Sequence, residues 1–220
     1  MRKTCQTMIE VYTDGSFSLD TASSSCDKWC AGIGLVVRVL NDSFPLSLNR
    51  EEYYSIRYTK TDLCEISQLL CDEEVVTSTL IECLAFKEGL NIALQVKQNK
   101  GLIKFYVDDS LTIKIVRTYI DIILQGGDIT KSRRFGVYMK LLSRILPNNI
   151  DSLKKIKIQH ISAHRNNRYN NMADSLASYK SSPSDRVISC LANGEKLTNI
   201  LDKKQYFLTL NEYKNKLFEK

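Results

Sequence analysis

Ile9-Glu10-Val11-Tyr12-Thr13-Asp14-Gly15-Ser16 is the stretch on which the fold turns. Apolar and polar residues alternate from Ile9 to Asp14, the period of a strand with one buried face. Gly15-Ser16 is turn-forming and predicts the strand's end, leaving Asp14 as a carboxylate at a strand terminus. Outward along the chain, Ala31 to Leu40 and Tyr53 to Thr59 predict a second and a third strand. The polar stretches between them, Ser18 to Lys28 and Thr61 to Val76, are insertions into a strand meander, the second with a short helix around Leu63, Ile66, Leu69 and Leu70. Thr77 to Val96 then shows a long helical pattern with Ser78 or Thr79 as N-cap. Leu102 to Val107 is a buried-type strand. Ser110 to Leu124 is a helix ended by Gly126-Gly127, and Arg134 to Leu146 is a helix stopped by Pro147. Ile156 to Ile161 is the fifth strand, and Asn170 to Tyr179 the last helix of this series.

Three strands in succession favour antiparallel pairing, and strands joined through helices favour parallel pairing. The expected fold class is therefore α/β, a five-stranded mixed β-sheet flanked by helices. Residues 1–180 are expected to form this domain and residues 181–220 a C-terminal extension. Ile188, Leu191, Leu197, Ile200, Phe207, Leu210 and Leu217 in the extension suggest one or two amphipathic helices.

At 43% hydrophobic and 25% charged residues, the 220-residue chain is in the range of ordinary globular proteins. No apolar run approaches the roughly 18 residues of a membrane span, and no secretory signal opens the chain. Seven cysteines at irregular spacing, without a Cys-x-x-Cys pair, read as free thiols in a reducing compartment. Cys26 and Cys30 have no second pair at metal spacing, so structural zinc is not expected. The expected setting is therefore intracellular, in cytoplasm or nucleus, away from membranes. The net charge of +6 hides an asymmetry: residues 1–130 carry 13 basic and 18 acidic side chains (net −5), residues 131–220 carry 18 and 7 (net +11). A basic half beside a carboxylate-rich half suits a polyanionic substrate.

Four carboxylates recur at element boundaries: Asp14, Glu82 early in the first long helix, Asp109 after the fourth strand, and Asp174 in Met-Ala-Asp-Ser-Leu-Ala. A sheet with helices packed on it could gather all four, and such a group is tolerable only with cations between its members. Asp-Gly-Ser or Asp-Ser alone is a common turn or cap sequence. The weight lies in the order of all four and in His164, which stands ten residues before Asp174.

In these motifs the chain resembles the type 1 ribonuclease H family in its cellular and retroelement forms. Tyr12-Thr13-Asp14-Gly15-Ser16 is similar to the family's first catalytic motif, Glu82-Cys83-Leu84-Ala85 to its helix glutamate, Asp109-Ser110 to its third motif, and His160 to Asp174 to its last. Asp109 is chosen over Asp108 because the family's aspartate directly precedes the serine that opens the helix. The resemblance covers roughly residues 8–180. It implies an endonuclease hydrolysing the RNA strand of RNA–DNA hybrids with two Mg²⁺ ions about 4 Å apart, Mn²⁺ being a substitute, held by Asp14, Glu82, Asp109 and Asp174. His164 is implied as a mobile proton carrier, and His160 as a structural histidine. Implied substrate contacts are Gly15, Ser16, Ser110, Asn170 and Arg165, with Lys131, Arg133 and Arg134 in the place of a basic protrusion. Lys154, Lys155, Lys157 and Arg168 are further phosphate candidates, and a monomer is favoured. The chain departs from the family at Phe17 to Trp29, at Ser78-Thr79-Leu80 and at Asn171, positions that bear on substrate contacts and not on the carboxylates. Two alternatives stand beside this reading: a catalytically weak or inactive nucleic-acid-binding module of a larger assembly, and a DNA nuclease of the same fold.

On this reading Asp14→Asn abolishes Mg²⁺-dependent cleavage of a hybrid, whereas His164→Ala slows turnover without abolishing it. Steady-state assays on the two purified variants measure the difference.

Overall fold

The computed structural model describes residues 7–17, 29–41, 50–59, 63, 66, 77–95, 101–129, 135–143, 153–162 and 167–178. Within these ranges the order is β1 (Thr7–Phe17), β2 (Trp29–Asn41), β3 (Arg50–Thr59), α1 (Ser78–Gln95), β4 (Leu102–Val107), α2 (Ser110–Leu124), α3 (Gly136–Ser143), β5 (Ile156–His160) and α4 (Arg168–Ser178). The sheet runs β3-β2-β1-β4-β5. The first three strands pair antiparallel, while β4 lies parallel to β1 and β5 parallel to β4. This is the expected mixed five-stranded sheet. The expected extension, residues 181–220, lies outside the described residues.

The two-residue period of β1 sorts its side chains between two helical layers. Ile9, Val11 and Thr13 are buried with Ile103, Phe105 and Val107, which stand beside them in the parallel register with β4. Helix α1 covers this face. A Cβ on its Gly89 would sit 2.8 Å from Val11 and 3.2 Å from Phe105, so the glycine lets the helix axis come close to the sheet. Residues Leu80 to Leu90 of α1 are all buried, apolar and polar alike. Helix α2 adds Ile113, Ile115, Val116, Tyr119 and Ile120 to the core, and α3 adds Met139, Leu141 and Leu142.

The opposite face carries Glu10, Tyr12 and Asp14 of β1, with Arg38, Val36 and Gly34 opposite them on β2. Helix α4 lies here. A Cβ on Gly34 would meet the carbonyl oxygen of Ala173 at 1.9 Å and the amide nitrogen of Ala177 at 2.5 Å. Only a residue without a side chain fits that contact. Ser55 Oγ on β3 donates to the Leu176 carbonyl at 2.8 Å and fastens the same helix farther along.

Several boundaries differ from the sequence expectation. Gly15 and Ser16 do not turn: β1 continues to Phe17, because Gly15, Ser16 and Phe17 pair with Ile33, Gly32 and Ala31. Neither Ser78 nor Thr79 caps α1. Thr77 does, its Oγ1 accepting from the Leu80 amide at 3.2 Å. Helix α4 begins at Arg168 and not Asn170, since Asn167 Oδ1 accepts from the amides of both Tyr169 and Asn170 at 3.1 Å. Helix α2 ends as expected, Gly126 adopting φ +69°, a left-handed conformation that glycine reaches without a Cβ penalty. Leu63 and Ile66 are buried, while Leu69, Leu70 and most of the short helix expected there lie outside the described residues. Cys83 is a free buried thiol. Among the described residues no helix is long and apolar enough to cross a membrane.

The Gly34 contact yields a measurable expectation. Gly34→Ala must push α4 off the sheet and is expected to cost about 3 kcal/mol, the upper range for overpacking a core. Gly136→Ala meets nothing within 4 Å and stays within about 0.5 kcal/mol of the parent. Urea denaturation of both variants checks the pair.

Candidate active site

The parallel pairing of β1 with β4 sets Thr13 beside Val107, so the next residues along, Asp14 and Asp108, stand side by side where β4 ends. Glu82 reaches the same corner from the second turn of α1. Gly15 makes this possible: a Cβ there would lie 3.0 Å from both Cδ and the backbone nitrogen of Glu82. In its absence the Gly15 amide donates to Glu82 Oε1 at 3.1 Å. Asp14, Glu82 and Asp108 thus present ligand atoms that all lie within 4.8 Å of one another, the one such group among the described residues.

At the third position the sequence reading chose Asp109, whereas the group within 4.8 Å contains Asp108, with Asp109 near enough for its charge to act on Glu82. The carboxylate of Asp109 caps α2, accepting from the amides of Leu111 at 3.3 Å and Thr112 at 2.7 Å. The period of the strand explains the difference. Tyr106 shares a sheet face with Tyr12, so Asp108 shares one with Asp14, and Asp109 alternates away. That relation exists only once β4 is in register against β1.

Burial and like charge dominate the electrostatics. Asp14 is pushed up to about 8, first by burial, then by the charges of Asp108 and Asp174, and also by a hydrogen bond shared with Asp174. Glu82 is pushed up to about 9, first by burial, then by Asp14 and Asp108. Burial also raises Asp108. Asp174 on α4 therefore belongs to the same electrostatic group, next to Asp14. Glu82 Oε2 is buried without a hydrogen-bond partner among the described residues. Oxygen ligands, crowded negative charge and an orphaned carboxylate oxygen are the chemistry of a hard divalent cation site.

The remaining expected site residues divide. Gly15 and Ser16 lie in β1 beside Asp14, and Ser110 is exposed at the start of α2. Asn170, expected to touch substrate, is 2% exposed and donates from Nδ2 to Asp108 Oδ2 at 3.4 Å, with no partner for its Oδ1 among the described residues. His160 ends β5 with its Nε2 3.1 Å from the Asp108 backbone carbonyl, a contact that steadies the chain at that aspartate. His164, Arg165, Lys131, Arg133 and Arg134 lie outside the described residues.

A mixed sheet of order 3-2-1-4-5, with acidic residues converging at the ends of its central parallel strands, defines the ribonuclease H-like fold. No protein-family model matches the sequence, and no curated protein matches it. Among solved structures, LC9-RNase H1, described as a type 1 RNase H with the type 2 active-site motif, matches with a TM-score of 0.51 at 13% identity. The match covers 80% of this chain and 72% of that one, and it establishes the fold. The PFV RNase H domain is also similar, with a TM-score of 0.47, 16% identity and coverage of 78% of this chain and 93% of that chain. LC11-RNase H1 in complex with RNA/DNA hybrid gives a TM-score of 0.39 at 18% identity over 77% and 93%.

The raised carboxylates fix the sign of a pH effect. Between about pH 4 and pH 8 to 9 the metal-free folded protein holds protons on Asp14 and Glu82 that the unfolded chain has released. Stability of the metal-free protein therefore falls as pH rises through that window. Thermal melts in chelator should show the fall, and millimolar Mg²⁺ or Mn²⁺ at pH 8 should reverse it. Glu82→Gln should melt higher than the parent in chelator at pH 8 and lose most of the cation-induced rise.

Proposed function

We propose that the chain is a metal-dependent endonuclease that hydrolyses the RNA strand of RNA–DNA hybrids. The observation that carries this reading is the convergence of Asp14, Glu82 and Asp108 within 4.8 Å, with Asp174 coupled to Asp14, on a ribonuclease H-like fold. The four carboxylates would hold two divalent ions, Mg²⁺ or Mn²⁺. When bound, such ions supply an activated water and stabilise the oxygen leaving the scissile phosphate.

The chain's own groups prepare that chemistry. The Gly15 amide fixes one oxygen of Glu82 and leaves Oε2 free for a ligand role. Asn170 takes one oxygen of Asp108 and turns the carboxylate toward the corner it shares with Asp14. His160 steadies the Asp108 backbone, so the first residue beyond β4 keeps a strand-like position. His164 is proposed as the proton carrier, on the resemblance of its spacing to Asp174.

Support for a polyanionic substrate comes from charge. Lys154 and Lys157 are exposed around β5, Lys155 is half-buried there, and the C-terminal part of the chain carries the net excess of +11. Lys131, Arg133, Arg134 and Arg165 are proposed to add phosphate contacts, with Ser16 and Ser110 flanking the carboxylates. Contacts of this kind read the shape of an A-like hybrid and its 2′-hydroxyls, so little sequence preference is expected. The proposal includes an intracellular setting and a monomer.

Labelled hybrid, double-stranded RNA and double-stranded DNA, each assayed with Mg²⁺ and with chelator, test the reading. Cleavage of the hybrid's RNA strand in Mg²⁺ alone supports it. Cleavage of double-stranded DNA identifies a DNA nuclease instead, and cleavage of none identifies a binding module. Within the active protein, Asp108→Asn should lower the rate about 100-fold or more. Asp109→Asn should stay within about tenfold, because asparagine caps a helix as well as aspartate does.

A further inference from the structure

Asp174 is the one member of the carboxylate group carried by a helix on the α4 side of the sheet, so its reach depends on how α4 is held. Its middle and C-terminal turns are fastened by the Ala173 and Ala177 contact with Gly34 and by the Ser55 bond to the Leu176 carbonyl. In its first turn, beside the 3.4 Å bond from Asn170 to Asp108, lies a fastening of a different character. Tyr169 Oη donates to Glu51 Oε1 at 2.8 Å, and the Arg38 guanidinium lies 4.1 Å over the Tyr169 ring. Arg38 is itself fixed by two carboxylates, Nη1 to Glu10 Oε2 at 2.6 Å and Nε to Glu51 Oε1 at 3.1 Å. Tyr53 donates to the second oxygen of Glu51 at 2.6 Å, and Tyr106 donates to Glu10 at 3.1 Å. The network spans β1, β2, β3 and β4 and reaches Tyr169 of α4, over whose ring Arg168 of the same helix also lies at 5.4 Å.

We propose that Tyr169, held by Glu51 and Arg38, is a positioning residue that sets the rotation of α4 and thereby the placement of Asp174 beside Asp14. The proposal rests on the metal-site reading of the four carboxylates. The slot at Gly34 limits how close α4 comes but, lacking a side chain, does not fix its roll about its own axis. Tyr169 and Ala173 are four residues apart and share the sheet-facing stripe, so a bond at Tyr169 sets that roll. With side-chain tips about 5–6 Å from the helix axis, a roll of about 20° moves a carboxylate about 2 Å. Metal–ligand distances tolerate about 0.2 Å, so the roll decides whether Asp174 contributes. Burial alone would raise Glu51, but the bonds from Tyr53, Tyr169 and Arg38 outweigh it and hold the carboxyl low. Glu51 is therefore an ionised acceptor at neutral pH, and bonds to it are of the stronger, charge-assisted kind.

The test uses the full chain with Tyr169→Phe and Glu51→Gln, beside Ile115→Val as a control that loosens the core away from the network. Mn²⁺ affinity is measured by calorimetry, and the half-saturating Mn²⁺ and the KM for hybrid by cleavage. Tyr169→Phe and Glu51→Gln should each weaken Mn²⁺ binding by about tenfold, the scale for groups that orient metal ligands. The half-saturating Mn²⁺ should rise in parallel, the KM should stay within about twofold, and the double variant should be no worse than either single one. Ile115→Val should leave Mn²⁺ affinity at the parental value. A parent that binds Mn²⁺ but cuts no hybrid removes the nuclease reading while calorimetry still decides this one. Parental Mn²⁺ affinity in both network variants, weakening no greater than in Ile115→Val, or a parent that binds no Mn²⁺ overturns the proposal.

Discussion

Mutual repulsion among Asp14, Glu82, Asp108 and Asp174 is the constraint around which the rest of the molecule is arranged. Burying these carboxyls and bringing their like charges together both oppose folding, and the raised Asp14 and Glu82 register that opposition, burial first and repulsion second. The fold overcomes it with apolar burial elsewhere. Ile9, Val11, Phe105, Ile103 and the apolar residues of α1 form a continuous core on the far face of the same strands that carry the acids. A hydrophobic layer thus holds an electrostatically unfavourable one in place, and a bound cation would turn that repulsion into attraction.

Close approach is the second ingredient, and it comes from positions without side chains. Gly15 admits the start of α1, Gly89 lets the same helix settle on β1 and β4, and Gly34 admits α4 from the other side. Each brings a carboxylate-bearing element nearer to Asp14 than a Cβ would allow. These glycines act as spacers of zero thickness and not as turns.

The third ingredient is a polar network on the α4 side of the sheet. Glu10, Arg38 and Glu51 alternate in charge across three adjacent strands, flanked by tyrosines, with Tyr12 and Tyr106 stacked at 4.4 Å. A sheet face this polar stays stable because each ionised group has an opposite charge or a phenol within hydrogen-bonding reach. Its register next to the acids also lets it hold α4 at its first turn.

Much of this was legible in the chain itself. Strand alternation, helical periodicity and the glycine pair after Leu124 determined the order of elements and the mixed sheet, because burial on one face imposes a period that survives in any sequence. Asp14, Glu82 and Asp174 pointed to the carboxylate group by their order, their places near element boundaries and the ten-residue interval from His164 to Asp174. Other features needed the folded molecule. Gly15 reads locally as a turn but pairs within β1, since the partner strand supplies hydrogen bonds that local sequence does not announce. Whether Asp108 or Asp109 joins Asp14 is decided by the register between β1 and β4, a relation between strands about ninety residues apart. The contacts of Gly34 with Ala173 and of Tyr169 with Glu51 are longer-range still, spanning opposite ends of the domain. Local sequence encodes period and polarity, whereas the placement of one acid beside another is a property of register and helix approach, which exist only once distant segments meet.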